Sequence, residues 1–553
     1  MKIRIEGFQA TLPRLEPNLL PDSHAQIARN VDLHKGTIKS YKGLGQVINL
    51  QFNADVTTAY LWRINDSEYW FRFSDDVDVA RSPIAEDETH RVYWTGDKRH
   101  LDSNGKAIPQ MSYTPLAYQG GTQYPVASRQ LGVPWPETAV SAQVQGTKDA
   151  NTVVPERRYY VRTFVTDLGE EGPPADYQSS QISNYVDVYT GQTVHLTGLG
   201  LSVPTGTTSN IQKQRIYRAA SGNSSADFYF VAEIPIAQTT YDDTRLTSEL
   251  GETIPSTLWY APPAGMQGLR LMANGVMVGF LGNEICFSEI NLPHAWPPAY
   301  RLTVDYPIVA IGTYDTTVVV ATEGRPFIIT GSDPSSMAQR ELPVNEACVS
   351  KRSMVSFGGY CVYASKNGLV YANQAGAQIV TDNAITREEW ANFKPDTMRA
   401  CEYRQAYVGF FGANEAETQG FIVSPGNASA GITTLSLKAK SLHRDPLKET
   451  LYLLDWQKNI APLESGSRMT ATWRSKVFET PYAGFNTLRL EMILPRTTQV
   501  RIYADESLHS AAYVKNDEPV RLPFKGKFKR WQVECITDGE IRSITLSERV
   551  SDT

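Results

Sequence analysis

Residues 315–330 read DTTVVVATEGRPFIIT, and residues 358–373 read GGYCVYASKNGLVYAN. Each stretch begins at a turn, continues as an apolar run rich in Val, Ile, Tyr or Phe, turns again at a glycine and ends in a second apolar run. Two β-rich runs joined by a short Gly, Asn or Asp turn are typical of an antiparallel hairpin. The two stretches therefore predict two copies of one hairpin unit.

The hairpin unit occurs five times between Leu269 and about Leu463. Its second turn falls near residues 283, 324, 368, 414 and 458, so successive copies are about 41 to 46 residues apart, which is the period of propeller blades. Such a meander cannot bury its faces alone, so the copies must stack around an axis. The spacing predicts a β-propeller, with an ordinary β-sandwich as the alternative. One short helix is expected, at Thr386 to Phe393.

A sixth blade is predicted upstream, where the runs AYLWRI and EYWFRF flank a turn at Asn65-Asp66. These runs are unusually aromatic, and their aromatic residues are Tyr60, Trp62, Tyr69, Trp70, Phe71 and Phe73. Exposed rings in this alternation can bind sugars by stacking, whereas rings in a half-buried strand pair contribute to packing. Both interpretations stay open at the level of sequence.

Two further β-rich segments flank the repeats. Residues 156–256 alternate strictly and predict a sandwich of six to seven strands inside the propeller sequence, and residues 466–553 predict a second β-sandwich or jelly roll. The expected division is therefore an extended N-terminal arm with a closing hairpin near Lys35-Gly36 (1–50), the first blade or blades with a connector (51–155), the inserted sandwich (156–256), the main blades (257–465) and the C-terminal sandwich (466–553). An early strand of the arm could pair with the last blade and close the ring.

Composition sets limits on the function. With 553 residues the chain should hold two to four domains, and its net charge of −6 gives no nucleic-acid-binding signature. The five scattered cysteines lack zinc-site spacing, which favours buried free thiols in a reducing compartment. The first residues lack the apolar core of a signal peptide, and no apolar run is long enough to span a bilayer. We therefore expect a protein made in the cytosol and not inserted into a membrane.

Motifs that carry chemistry are missing from the sequence. There is no phosphate-binding glycine loop, no HExxH, no GxSxG and no sialidase-type SxDxGxTW box. Asp75, Asp76 and Asp78 lack the glycine and final glutamate of a calcium loop, and the eight histidines are isolated along the chain. Carboxylates that could serve a glycosidase, such as Asp305 with Asp315 or Glu284 with Glu289, have no distinguishing context. No catalytic, cofactor-binding or metal-binding residue is predicted, and we expect a protein that is not an enzyme.

Two resemblances extend this interpretation. The inserted segment resembles fibronectin type III domains of phage structural proteins through Tyr160–Thr163, Gly169–Pro174 and Arg215–Arg218. The order of arm, interrupted propeller and terminal sandwich resembles the tail nozzle (tail tubular protein B type) of short-tailed bacteriophages. The residues that carry this likeness are Gln26 to Gly43, Ala295-Trp296-Pro297, Trp473 to Pro481 and Tyr503-Ala504-Asp505.

The nozzle resemblance implies a structural virion protein of the phage tail, assembled in the host cytoplasm. It implies a ring, expected to be a homohexamer, that forms the distal channel of the tail tube for DNA ejection. The implied partners are a tail adaptor protein above the ring, tail fibres, spikes or a plug below it, and DNA that passes without specific binding. A glycan-binding or glycan-cleaving receptor-recognition propeller of the tail is the alternative, and the aromatic first blade is its best argument.

Overall fold

A ring of small antiparallel sheets forms the centre of the molecule. The computed structural model describes residues 1–114, 116–176, 182–220 and 227–552. Within these ranges seven sheets lie side by side, and the first strand of each contacts the first strand of its neighbour around a common axis. The protein is therefore an all-β protein built on a β-propeller, as the repeats predict.

The strands of each blade follow one another in sequence, except that the outer strand of blade 7 comes from the N-terminal segment. They are Thr58–Ile64 and Ser67–Phe73 in blade 1; Asp78–Arg81, Val92–Thr95, Gln110–Ser112 and Arg129–Gln130 in blade 2; Gln267–Leu271, Met277–Leu281, Glu284–Phe287 and Leu302–Thr303 in blade 3; Ile308–Tyr314, Thr317–Thr322, Phe327–Thr330 and Ala338–Glu341 in blade 4; Val355–Ser356, Cys361–Ala364, Leu369–Asn373 and Gly376–Ile379 in blade 5; Arg399–Tyr403, Ala406–Phe411, Gln419–Val423 and Thr433–Leu435 in blade 6; and Ser441–Asp445, Thr450–Leu454, Asn459–Pro462 and Ile48–Asn49 in blade 7.

The five hairpin repeats become blades 3 to 7. Their middle strands are buried on both faces, as in Thr317–Thr322, because each blade packs between two neighbours. The described residues form seven blades rather than about six, since the region expected to hold one blade and a connector holds two blades. Val92–Thr95, expected in the first blade, and Gln110–Ser112 and Arg129–Gln130, expected in the connector, all belong to blade 2. Those strands are only two to four residues long, which hides them from a search for periodic runs.

The N-terminal segment closes the ring. Ile48–Asn49 pairs with Asn459–Pro462 and becomes the outer strand of blade 7, which confirms that an early strand completes the last blade. On the inner side, both terminal nitrogens of Arg63 in blade 1 donate to the carboxylate of Asp445 in blade 7 at 2.6 Å. Such a bidentate pair is strong and directional. The first and last blades are thus held together by a strand that precedes blade 1 and completes blade 7, and by an ion pair between them.

The inserted sandwich lies between blades 2 and 3 in the sequence. Its sheets are Ser141–Gln145, Thr193–Thr197 and Tyr241–Asp243 on one side, and Val186–Val188, Glu156–Thr166, Ile211–Ala220 and Tyr229–Pro235 on the other. It therefore begins at Ser141, earlier than the expected boundary at 156. Arg218 and Asp243, both fully buried, form an ion pair of 2.5 Å between the two sheets.

The terminal sandwich is built from both ends of the chain. One sheet contains Lys2–Glu6, Val31–Asp32, Ile38–Ser40, Glu540–Ser547, Thr487–Leu494 and Val520–Arg521, and the other contains Ala25–Arg29, Ala471–Ser475, Phe478–Ala483, Phe528–Thr537, Thr498–Ala504 and Ser507–Val514. The hairpin near Lys35-Gly36 is confirmed, since Val31 pairs with Ser40. The division into an extended arm (1–50) and a separate C-terminal sandwich (466–553) is corrected, because Ile3, Ile5 and Phe8 are buried in the core of that sandwich.

One strand joins the terminal sandwich to the propeller. Ala25–Arg29 pairs with Ala471–Ser475 on one side, and its Arg29 pairs with Thr434 of blade 6 on the other. The Asn30 amide next to it donates to Ser436 and to the Thr470 carbonyl. Blade 6 and one sheet of the sandwich therefore form a continuous ten-stranded sheet.

Helical structure is short throughout the described ranges. The α-helix Arg387–Ala391 lies where a short helix is expected, and Thr386 and Glu389 form its capping box. The remaining helical segments are 3₁₀ turns, and one of them, Pro425–Ala430, consists of two turns with the non-helical Asn427 between them. The others are Thr247–Glu249, Pro298–Tyr300, Pro334–Ser336, Lys351–Ser353, Pro395–Thr397 and Val550–Asp552. No helix of the described segments is long and apolar enough to cross a membrane.

A buried carboxyl group lies where the inserted sandwich meets blade 2. Glu170 of the sandwich is 3.5 Å from the Arg91 guanidinium of blade 2 and 3.9 Å from the His294 ring, and Asp167 and Tyr93 are close by. Burial raises the pKa of Glu170 to about 7, which the charge of Arg91 only partly offsets. The same burial lowers the pKa of His294 to about 4, so this ring is neutral near neutral pH.

We expect Glu170→Gln to stabilise the protein by about 3 kcal/mol above pH 7. Because the folded-state pKa lies above the unfolded one, the folded state binds the proton more tightly, and stability is lost as pH rises from about 4.5 to about 7. The glutamine variant lacks that loss. Denaturant unfolding of both proteins from about pH 5 to about pH 8 measures the difference in unfolding free energy. The variant Glu86→Gln, at an exposed position, serves as the control. An unchanged difference across this range would contradict the assignment.

Candidate functional site: the propeller axis

A cavity of about 400 Å³ lies on the propeller axis, enclosed by the first strands of the blades and the turns before them. Its lining combines apolar surface with many charged side chains. Six of the lining residues are cationic, namely Arg270, Lys351, Arg352, Arg399, Lys440 and Arg444, and two are acidic, namely Asp76 and Glu402. The sequence did not predict this site, since its residues come from six different blades and the turns that precede them.

Asp78 anchors one side of the cavity. Its carboxylate is fully buried at the start of blade 2 and receives Lys351 at 2.6 Å, Arg352 at 2.9 Å and Arg270 at 3.3 Å. Arg270 comes from blade 3, whereas Lys351 and Arg352 come from the 3₁₀ turn before blade 5. Burial alone would raise the pKa of Asp78, but the three cations outweigh it and hold this pKa well below its ordinary value.

A glycine completes the coordination of Asp78. The backbone N–H of Gly268 in blade 3 donates to Asp78 Oδ2 at 2.9 Å. Gly268 has a φ of +70°, and a Cβ atom at this position would lie 2.5 Å from the Phe280 ring. Only glycine therefore allows both the backbone direction and the close approach. Blades 2, 3 and 5 are thereby linked through a single carboxylate.

The cations on the other side of the cavity are held more loosely. Arg444 pairs with Glu402 at 2.8 Å, and Lys440 pairs at 2.6 Å with Asp55, whose side chain is 68% exposed. Arg399 donates to the carbonyl oxygens of Ala439, Thr397 and Gly412. Burial without a carboxylate lowers the pKa of Arg399 to about 10. Of these three cations, Arg399 has no carboxylate partner among the described residues, and the carboxylate partner of Lys440 is largely in solvent.

The aromatic residues of blade 1 lie mostly inside the fold. Trp62, Trp70, Phe71 and Phe73 are buried, and Trp70 packs edge-on against Tyr452 of blade 7. The Trp62 indole donates to the His90 carbonyl. The half-buried Tyr69 stacks on Tyr118 at 5.4 Å. This arrangement agrees with the packing interpretation of the blade.

The other groups considered from the sequence have ordinary surroundings. Asp305 is exposed, Asp315 sits in a hairpin turn with a positive φ, Glu284 lies 3.9 Å from Arg301, and Glu289 accepts a hydrogen bond from Tyr300. No group of three His, Cys, Asp or Glu residues in the described part of the chain could hold a metal ion. The five cysteines are free thiols, and burial raises the pKa of Cys286, Cys348, Cys361 and Cys401 to about 12.

Comparisons with known proteins identify no family. No family model and no curated protein matches the chain. Among solved structures it is similar to the WD40 domain of Neurospora crassa Pan2, with 10% identity over 50% of this chain and 84% of that chain and a TM-score of 0.26. It is also similar to BBS1N in complex with ARL6DN, soaked with mercury or with lead, with 9% identity over 77% of this chain and 97% of those chains and TM-scores of 0.30 and 0.29. The propeller assignment rests on the sheet topology described above.

Proposed function

We propose that the chain is a structural subunit of a bacteriophage tail nozzle, a ring through which DNA leaves the virion. The observation that carries this proposal is the separation of charge between the two ends of the molecule. The terminal sandwich, residues 1–46 and 466–553, has 21 Lys and Arg against 15 Asp and Glu, a net charge of +6. The remainder has 32 against 44, a net charge of −12.

Opposite charges on two ends favour a head-to-tail contact between copies. A heterologous contact of this kind generates a ring when the rotation between copies closes, and complementary charges steer the copies into the correct register. The basic surface available for this contact includes the exposed Lys525, Lys527 and Lys529 at the entry to Phe528–Thr537. We propose that it meets the acidic propeller or inserted sandwich of the next copy.

The proposed path of DNA is the hole of the ring and not the axis of one propeller. The axial cavity is too small for a duplex, and the ion pairs of the buried Asp78 lie along one side of it. An acidic wall suits a conduit, because phosphate contacts by Lys and Arg would hold the duplex in place. In this proposal a tail adaptor protein binds above the ring and tail fibres, spikes or a plug bind below it.

We expect the purified protein to form rings of about six subunits at low ionic strength and to dissociate in about 1 M NaCl, because salt of that concentration screens charges beyond a few ångströms. Negative-stain images and native mass spectrometry measure the assembly. Replacing Lys525, Lys527 and Lys529 together by Glu should abolish ring formation. A chain that stays monomeric at low salt, or monomers that bind or cleave glycans, would contradict the proposal.

The matched control reverses the same amount of charge elsewhere. Lys98, Lys366 and Lys438 are exposed lysines of the propeller. Replacing these three by Glu makes the acidic end more acidic and leaves the basic surface intact. This control should assemble at low salt, so that loss of rings in the first variant reports the basic surface and not the total charge.

A further inference from the structure

We propose that the axial cavity binds a small anion of the phosphate type that carries at least two negative charges. The candidate ligand site is the cavity lined by cations from blades 3, 6 and 7 and from the turn before blade 5. Its volume of about 400 Å³ accommodates a free phosphate ester or pyrophosphate and excludes a polymer. This proposal does not depend on ring formation, because the cavity lies within one chain.

The charges around the cavity do not balance. Five of its six cationic lining residues are paired with carboxylates, and in the described part of the chain there are only four such partners, which are Asp55, Asp76, Asp78 and Glu402. Asp76 and Asp78 together neutralise two of the three cations that they contact. Among the described residues Arg399 contacts no carboxylate within 4 Å, and its donors go to carbonyl oxygens and to the Thr418 hydroxyl. The cavity and its partners therefore carry a net charge of +2.

This positive charge lies inside the acidic part of the protein. The propeller and inserted sandwich together carry −12, so a cationic cavity reverses the sign of its surroundings. Charged groups at the bottom of a concave site with protein walls concentrate the field and attract the opposite ion. A cluster that served only to join blades would be expected to contain equal numbers of both charges, as the Arg63–Asp445 pair does.

The donors reach the cavity from several directions. The side chains of Arg270, Arg352 and Arg444 are 30%, 33% and 39% exposed, so part of each is open to solvent or to a ligand. Guanidinium groups match the oxygens of phosphate in pairs, and a lysine adds a point charge. Thr57 and Ser441 also line the cavity and supply hydroxyl groups. The arrangement fits an anion with several oxygen acceptors.

Calorimetric titration of the full chain with inorganic pyrophosphate tests the proposal. We expect saturable binding of one pyrophosphate per chain at constant ionic strength, and weaker binding of inorganic phosphate because it carries less charge. The variant Arg444→Gln should weaken pyrophosphate binding about tenfold, since one charge-assisted donor is lost. The absence of saturable binding to the wild-type protein would overturn the proposal.

A control and a second variant guard against indirect effects. Arg501 of the terminal sandwich is 39% exposed and pairs with Glu534, so Arg501→Gln makes the same charge change at an equally exposed ion pair away from the axis. It should bind pyrophosphate as the wild type does. Loss of Arg444 leaves Glu402 without its ion-pair partner, which could disturb the site indirectly. Lys440→Gln avoids this problem, because the partner of Lys440 is Asp55, whose side chain is largely in solvent. Equal binding by the Arg444, Lys440 and Arg501 variants would assign any binding to general surface charge and overturn the site.

Discussion

Replacing Phe8 by alanine is expected to lower the free energy of unfolding of the terminal sandwich by about 4 kcal/mol, the usual cost of truncating a buried aromatic side chain. Phe8 is 0% exposed and packs edge-on against Trp473 with ring centroids 4.8 Å apart. The loss combines the apolar area returned to water with the cavity left beside the indole ring. Denaturant unfolding followed by tryptophan fluorescence measures this change.

The control for this prediction is an equally large residue on the surface of the same body. Phe524 is 65% exposed, so Phe524→Ala should change the unfolding free energy by less than about 0.5 kcal/mol, as surface substitutions usually do. If Phe8→Ala lowered the unfolding free energy as little as Phe524→Ala, residues 1–46 would not belong to the core of the sandwich. That outcome would also contradict the pairing of Lys2–Glu6 with Glu540–Ser547.

The composition of the terminal sandwich could not be predicted from sequence patterns. Periodicity identifies Lys2–Glu6 as a strand with alternating burial, but it holds no information on which strand pairs with it. Its partner lies more than 500 residues away along the chain. Prolines keep residues 13–21 out of the sheets, but this segment forms turns rather than an extended arm. Leu12 and Leu20 are buried against blades 5 and 6.

The propeller itself was predictable where the strands are long. The repeats from Leu269 to Leu463 have strands of four to seven residues for most of their length and tight turns, so each retains a visible period. Blade 2 could not be predicted from the sequence, because its strands, such as Arg129–Gln130, are separated by loops of ten or more residues. The short helix after Thr386 was visible from the sequence, since a Thr followed three residues later by Glu is a capping box.

The axial site was hidden for a different reason. The spacing of Asp75, Asp76 and Asp78 is partly that of a calcium loop, but the sequence around them lacks the other ligands of such a loop. The partners of Asp78 are Arg270 and Arg352, which are 192 and 274 residues away along the chain. A buried carboxylate whose cationic partners are distant in sequence has no local sequence pattern. The requirement for glycine at position 268 likewise becomes visible only in the fold, where its N–H donates to Asp78.

Asp78→Asn is expected to destabilise the propeller by about 3 kcal/mol, because removal of one member of a buried ionic cluster leaves the others uncompensated. Asparagine preserves the shape of the side chain but leaves Lys351 and Arg352 with Asp76 as their remaining carboxylate, and it leaves Arg270 without a carboxylate partner among the described residues. The folded-state pKa of Asp78 lies below its ordinary value, so its stabilisation is present above the unfolded pKa of about 3.9 and is lost only as pH falls through the folded pKa. The difference between wild type and variant should therefore be constant from about pH 8 to about pH 5 and decrease only below about pH 4.

Thermal and denaturant unfolding at several pH values measure this difference, and the exposed Asp396→Asn serves as the control with no expected loss. The same substitution separates stability from ligand binding at the axis. Because it removes one negative charge from the cavity, Asp78→Asn should bind pyrophosphate at least as tightly as the wild type while it unfolds more easily. A variant that loses stability and pyrophosphate binding together would mean that Asp78 positions the cations for the anion, and that the axial charges act as one rigid unit. A variant as stable as the wild type would refute the role of Asp78 in joining blades 2, 3 and 5.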